Sequence, residues 1–361
     1  MGMSWRGRHG AIGIGAVLLA ALAGCGSSAA TDDAAQGADG DSVEVTDAAG
    51  RQVSVDLPVD GVAILDRGPA EILSAFGMMD HLVGIHESLE GDPLYPEAQD
   101  RPVVATWSEV NFEALAMTEP DVVLTSVEGG HGAITDDEHL RSFDIVDIKT
   151  NLRDPRTMSE EILNLGTLFG QEDKAQELVD FYTEYETLIG DRIADVPEDQ
   201  RPKVFLQTHP GLLHTGGGDS AWHQQIPLAG GVNISEDLTG LVQVDAEWLA
   251  GQDPDIIIVE GGTLGFTAAD AADTDAPALR EEVLNAGGIK DTTAVAEGDV
   301  YVLPIDLISR PGYIVGEAYL AKIFYPDLFE DLDPEQVHQE YLDLFHPGTE
   351  RTGAWIYPEL P

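Results

Sequence analysis

Hydrophobic residues in this chain recur as short, unbroken, largely β-branched runs, each followed by a polar loop and then by a segment with helical spacing. Runs near Val62 to Leu65, Leu82 to Ile85, Val103-Val104, Val122 to Thr125 and Ile145 to Ile148 occupy the first half. Val204 to Gln207, Val232 to Ile234, Ile256 to Val259 and Val300 to Leu303 occupy the second. Such runs suit parallel strands covered on both faces, and their alternation with helices predicts two α/β lobes. Val43 to Val45 and Val53 to Val55 flank Asp47-Ala48-Ala49-Gly50, which predicts a hairpin on the edge of the first lobe. Between the lobes, Glu172 to Val196 contains no proline, and its Ala175, Leu178, Val179, Tyr182, Tyr185, Leu188 and Ile189 fall at helical spacing. At 1.5 Å per residue this helix would be roughly 37 Å long, enough to run beside both lobes.

One unit occurs twice. Phe112-Glu113-Ala114-Leu115-Ala116 leads through Glu119-Pro120-Asp121 into Val122-Val123-Leu124, and Ala246-Glu247-Trp248-Leu249-Ala250 leads through Asp253-Pro254-Asp255 into Ile256 to Val259. In each copy proline stops a short helix, because it has no amide proton and disfavours helical angles in the residue before it. Each following strand runs into a polar loop containing glycine, Ser126 to Gly132 and Glu260 to Gly265. Loops at such strand ends are where open α/β sheets bind ligands.

The beginning of the chain changes where these lobes are expected to work. Arg6 and Arg8 precede an apolar run from Ala11 to Ala23, and Leu22-Ala23-Gly24 precedes Cys25, the chain's only cysteine. That run is shorter than the ~20 residues of a spanning helix and has the shape of a signal peptide. A cysteine after the cut can carry a thioether-linked lipid, as in a bacterial lipobox; an ordinary signal peptide with a chance cysteine is the plainer alternative. Gly26 to Asp41 offers nothing that could build a core and reads as a tether. With no second cysteine the exported protein must hold together by burial alone. Roughly 320 residues beyond the tether suit two domains.

Charge then removes classes of partner. The chain has 66 acidic and 18 basic residues, a formal net charge of -48, spread over its whole length. Nucleic acid and anionic lipid surfaces would repel it. Self-repulsion of this size is tolerable where molar salt cuts its reach to ~3 Å, so the composition suits a saline habitat. An enzyme is not indicated: the exported part has no nucleophile elbow and no phosphate loop ending in Gly-Lys-Ser/Thr. Gly216-Gly217-Gly218 reads as a flexible turn. An adhesin or structural lipoprotein would keep the anchor but would not need a paired-lobe cleft.

Thr106-Trp107 through Asn111-Phe112-Glu113 to Pro120-Asp121, with Val204 to Gln207, Ala229-Gly230-Gly231-Val232-Asn233-Ile234 and Glu247 through Pro254-Asp255, resembles the helix-bridged (class III) periplasmic binding proteins of ATP-driven importers. The resemblance runs from about Val43 to Phe345. Its order and spacing are nearest the cobalamin-binding member, whereas Leu320-Ala321-Lys322 and Tyr325-Pro326-Asp327 look like the iron-complex branch. It implies an α/β fold of two Rossmann-like lobes joined by a single long helix. The expected organisation is a lipoprotein signal peptide over 1–24, a tether over 25–42, a first lobe over 43–170, the interdomain helix over 171–197, and a second lobe with C-terminal helices over 198–361. It also implies a monomer with no cofactor of its own, held to the membrane through a lipid on Cys25, which delivers a small-molecule metal complex to ABC permease and ATPase subunits.

A cleft between two lobes is the default small-molecule site, and one stiff helical crossing predicts small closure. Its candidate residues follow the strands. In the first lobe they are Arg67, His86, Trp107, Glu128 and His131; in the second, His209, Trp222, His223, Glu260 and Arg310. Arg67 suits an anionic group on an iron chelate, or is simply a surface arginine. Trp107 offers a flat face for a macrocycle or aromatic chelator, unless it belongs to the core, and it matches the cleft tryptophan of the cobalamin binder. Arg310 resembles the arginines with which iron-siderophore binders grip anionic ligands. His209, His214 and His223 fit no compact metal spacing, so no bare-metal site is expected. Glu113 and Glu247 sit in first helical turns, where the dipole favours a carboxylate; by resemblance they match the paired glutamates that dock on permease arginines. Ferric siderophore, cobalamin, haem and an oxyanion such as molybdate all stay open as ligands, and an intact iron chelate is the expectation.

Overall fold

The first half of the described chain builds a parallel sheet from the apolar runs the sequence displays. The computed structural model describes residues 41–127, 140–143, 145–209, 211, 213–262, 264–266 and 268–360; the expected signal peptide, Cys25 and nearly all of the tether lie outside them. Strands β1 (Ser42–Thr46) and β2 (Gln52–Asp56) form the expected antiparallel hairpin, Val43 opposite Val55. Strands β3 (Val62–Ile64), β4 (Leu82–His86), β5 (Val103–Ala105), β6 (Val122–Ser126) and β7 (Val146–Thr150) pair in the order β5-β4-β3-β6-β7, all parallel. Helix α1 (Gly68–Phe76) follows β3 and α2 (Phe112–Met117) precedes β6. Helices α3 (Pro155–Phe169) and α4 (Glu172–Ile193) then pack as an antiparallel pair.

The second sheet repeats the plan with four parallel strands, β8 (Lys203–Gln207), β10 (Val232–Asn233), β12 (Ile256–Glu260) and β13 (Val300–Leu303), in the order β10-β8-β12-β13. A small antiparallel pair, β9 (His214–Gly216) with β11 (Leu241–Gln243), lies beside it. Helices α5 (Ala221–Leu228), α6 (Ala246–Gln252), α7 (Ala276–Leu284) and α8 (Thr293–Glu297) surround the sheet, and α9 (Tyr313–Phe324) and α10 (Pro334–Phe345) close the chain. In each sheet the order reverses beside the first strand laid down, between β3 and β6 and between β8 and β12. Such switch points open a crevice at the carboxyl ends of the strands.

The duplicated unit is repeated down to single dihedrals. Glu119 and Asp253, each before the proline, take left-handed φ angles of 48° and 49°. The aspartate after each proline ties the strand start: Asp121 accepts from the amides of Asp60 and Gly61, and Asp255 from the amide of Lys203. The triple glycine is not a flexible turn. A Cβ on Gly217 would stand 2.1 Å from the carbonyl oxygen of Leu238, so glycine permits two backbones to touch there.

Side-chain alternation divides the interior. Ile256 and Ile258 face a central core while Ile257 and Val259 face an outer one, and Val62 and Ile64 are divided in the same way from Ala63 and Leu65. The central core is continuous from Ile64 and Leu124 in one sheet to Val204 and Leu206 in the other. Helix α4 runs through it, burying Ala175, Leu178, Phe181, Tyr182, Tyr185, Ile189 and Ile193 at i, i+3, i+4 spacing. The helix stops three residues short of the expected Val196, because Pro197 removes an amide donor and disfavours helical angles at Val196. Helix α10 returns to pack on α1 of the first lobe.

Buried acids lie in this layer. The Tyr313 hydroxyl donates to Glu186 at 2.6 Å, and the Tyr341 hydroxyl donates to Glu71. Burial, with Glu186 adding repulsion, pushes Glu317 up to about 8, and burial pushes Glu71 up to about 7 despite Arg67. Both acids ionise more easily in the unfolded chain, so their contribution is full below pH 4.5 and is lost as pH rises to about 8. His346 and His338, held neutral by burial at about 4 and about 3, act in the other direction and weaken the fold as pH falls below 6.5. Glu317→Gln should therefore flatten the loss of stability between pH 6 and pH 8 and raise Tm at pH 8 by roughly 2–5 °C. Calorimetry at both pH values checks this, and an unchanged pH slope would show that Glu317 ionises as freely in the fold as outside it.

Candidate functional site

Loops at the carboxyl ends of both sheets bring charged and aromatic side chains together. After β3, Asp66 and Arg67 turn into α1, both buried. The Arg67 amide donates to Asp66 Oδ1 at 2.7 Å, and Arg153, after β7, pairs with the same oxygen at 3.0 Å. Burial would raise the Asp66 carboxyl, but Arg153, Arg310 and the Arg67 amide outweigh it and hold it below the ordinary aspartate range. Arg67 Nη1 lies 2.5 Å from Asp92 and donates to the Ser88 carbonyl at 3.2 Å, and its guanidinium sits 5.1 Å from the centre of the Tyr95 ring. It is a buried arginine, not a surface one.

His86 ends β4 fully buried, its Nδ1 accepting from the Ser88 amide at 3.1 Å, so a neutral ring carries its proton on Nε2. Burial lowers its pKa despite Asp66 and Glu87 nearby. Trp107 packs edge-on against His86 at 4.7 Å, and its amide donates to Glu87 at 2.6 Å. With 39% of its surface exposed, Trp107 belongs to the rim and not the core.

The second lobe answers with Trp222, Glu260, Asp306 and Arg310. Trp222 donates from Nε1 to Glu260 Oε2 at 2.6 Å. Burial pushes Glu260 up to about 7, against the pull of Trp222, Arg310 and, from the other lobe, Arg153. Arg310 is 4% exposed, and its Nε stands 2.8 Å from Asp306 Oδ1. That contact is ionic without hydrogen-bond alignment, so neither Nε nor Nη1 of Arg310 has a hydrogen-bonding acceptor among the described residues. Arg67 Nε, equally without one, lies 3.6 Å from the same Asp306 oxygen. Beneath them is a cavity of about 30 Å³ bordered by Glu71, His338, Tyr341 and His346, room for water but not for an organic molecule.

Of the residues expected from sequence, Arg67, His86, Trp107, Trp222, Glu260 and Arg310 share this neighbourhood. His223 turns to Asn233, with 3.0 Å between Nδ1 and the amide nitrogen, and burial lowers its pKa. His209 is exposed, with its ring 5.5 Å from that of His214. Among the described residues no three potential metal ligands cluster. Glu128 and His131 fall outside the described residues. Arg153 and Asp306 were not anticipated, although each follows a strand and the strand-end rule applied to β7 and β13 would have reached them.

Glu113 and Glu247 are both exposed in first helical turns. The capping there is done by their neighbours: Asn111 accepts from the Ala114 amide and Asp245 from the Trp248 amide. The two glutamates are thus free of that task.

What holds Arg310 in place is a tight loop over α9. A Cβ on Gly316 would come within 1.6 Å of the Leu307 carbonyl oxygen, and one on Gly312 within 2.6 Å of the Asp306 carbonyl oxygen. Gly316→Ala should push the loop outward, lower Tm by several degrees and expose Arg310. Faster amide exchange across 305–311 would be the sign, and unaltered exchange would mean the loop is positioned otherwise.

Known proteins share this fold. A family model described as periplasmic binding protein matches residues 62–307. The molybdate-binding protein MolA of Haemophilus influenzae is 21% identical over 335 residues, 84% of this chain and 90% of that protein. The vitamin B12-binding protein of Salmonella typhimurium is 29% identical over 171 residues, but the match spans only 61% of that protein and 46% of this chain. Among solved structures, the TroA-like periplasmic binding protein FepB from Veillonella parvula superposes with a TM-score of 0.69 at 24% identity, covering 87% of this chain and 99% of that one. Molybdate-bound MolA gives 0.72 at 21%, covering 86% and 99%. At these identities the structural likeness establishes the fold.

Proposed function

We propose, from the premise that this chain belongs to the periplasmic binding protein family, that it captures an anionic metal chelate of the ferric-siderophore type between its lobes and delivers it to a permease. The chain is the solute-binding component of an ABC importer acting outside the cytoplasm, and it is not an enzyme. The observation that carries the ligand reading is Arg310, buried at the strand ends with two guanidinium nitrogens that lack hydrogen-bond acceptors among the described residues. A buried cation with unused donors favours a ligand that brings negative oxygen. Arg67 and Arg153 reinforce it, so three arginines of a chain with only 18 basic residues converge here. Trp107 on the rim supports an aromatic or macrocyclic body rather than a bare ion. Cobalamin, whose side chains are amides and whose one anionic group is a phosphodiester, offers these arginines less than a chelate with several carboxylates; haem would use them through its propionates.

A second reading is a tetrahedral oxyanion, favoured by the match to the molybdate-binding protein along 84% of this chain. Titration followed by tryptophan fluorescence separates the two. An anionic ferric chelate should bind below micromolar concentration, and Arg310→Ala should weaken it at least tenfold, about 1.4 kcal/mol. Tighter binding of molybdate than of any chelate would move the assignment to the oxyanion, and binding of free metal ions alone would defeat both.

Delivery rests on Glu113 and Glu247, one on each lobe, as contacts for two permease subunits. A lipid on Cys25 would keep the cleft near that permease and raise its local concentration. Reversing both charges, Glu113→Lys with Glu247→Lys, should abolish uptake while leaving ligand affinity unchanged. Uptake at the unmodified rate would remove the glutamates from docking.

A further inference from the structure

Of the acids around the buried arginines, Asp306 has the weakest structural claim to its place. Asp66 holds Arg153 and receives the Arg67 amide, and Asp92 already neutralises Arg67 from within the first lobe. Asp306 is different. It has 41% of its side chain exposed, yet its Oδ1 reaches two arginines that are almost wholly buried, Arg310 Nε at 2.8 Å and Arg67 Nε at 3.6 Å. Arg67 belongs to the loop after β3 and Arg310 to the loop after β13, so one oxygen bridges the two sheets. Neither contact is aligned as a hydrogen bond. Asp306 therefore supplies charge to Arg310 without satisfying its donors, and it stays open to solvent.

From this geometry we infer that Asp306 is a resident counter-anion and interlobe latch: it occupies the place on Arg310 and Arg67 that an anionic group of the ligand takes when it binds. The inference rests on the reading of the cleft as an anion site. It adds a selection rule to that reading. A ligand must displace a carboxylate already present, so only one whose oxygens pair better with Arg310 gains by entering, whereas a neutral ligand pays to break the latch with nothing to replace it. The displaced aspartate stays solvated because it is partly exposed, which makes the exchange feasible; a buried acid such as Asp66 could not be expelled in this way.

Asp306→Asn keeps the shape and removes the charge. Measured by calorimetry at fixed ionic strength, it should bind molybdate or ferric citrate about tenfold more tightly than the parent protein. Asp306→Glu should restore the parent affinity. With no ligand added, Asp306→Asn should also exchange amide protons faster across 305–310, because the interlobe bond is gone. Unchanged or weaker anion binding would overturn the inference, since a residue that merely props Arg310 in position would give that result. Should neither protein bind any of these probes, the reading of the cleft as an anion site fails. The latch is then judged by exchange alone: faster exchange in Asp306→Asn supports it, and unaltered exchange overturns it.

Discussion

The structure depends on one apolar layer shared by two sheets. Ile64 and Leu124 on one side and Val204, Leu206, Ile256 and Ile258 on the other bury their side chains in the same core, with α4 and α9 threaded through it and α10 closing it against α1. Tyr182 and Tyr313 stack at 5.2 Å within that layer, and the Tyr182 hydroxyl donates to the Pro311 carbonyl at 2.6 Å, next to Arg310. Opening the lobes widely would expose this surface at about 25 cal/mol for each Å². Wide separation of the lobes would therefore be costly, and packing gives way to polar loops only at the strand ends.

Those strand ends are polar by necessity. A parallel sheet buries both faces of its strands, and each strand must be followed by a loop at one rim. Both sheets turn that rim, with its switch point, toward the same place, so Asp66, Arg67 and Arg153 meet Glu260, Asp306 and Arg310. Electrostatics then does what composition does not suggest. The acidic surface gives the chain its charge, but at the junction arginines and carboxylates nearly balance, because burial pushes Glu260 and Glu71 up to about 7 and so removes part of their charge. The junction is therefore less negative than the surface around it.

Much of this was legible in the chain. The nine β-branched runs are strands, the helix that begins at Glu172 is continuous to Ile193, and the duplicated unit recurs with matching caps, turns and strand ties. Trp107 and Arg310 lie at strand ends, as their place in the sequence implied, because a strand end is a physical place and not only a pattern. The same rule, pressed to β7 and β13, reaches Arg153 and Asp306. His209 and His223 passed the rule but do not join the cluster, since a loop residue's direction depends on what packs beneath it: His223 turns to Asn233, and His209 to solvent beside His214. The glycines at 216–218 were misread because close backbone approach and flexibility have the same sequence signature.

Local chemistry thus determined the elements, their order and the acidic exterior, because unbroken apolar runs, prolines and caps act within a few residues of themselves. Only the tertiary structure decided which charges meet. Asp306 and Arg67 are far apart in sequence, and their shared contact exists because a continuous core brings two separate sheets rim to rim. Whether an arginine is a solvated surface residue or a buried cation with unused donors depends on what surrounds it in space. At Arg67 and Arg310 that surrounding is built by the opposite half of the chain.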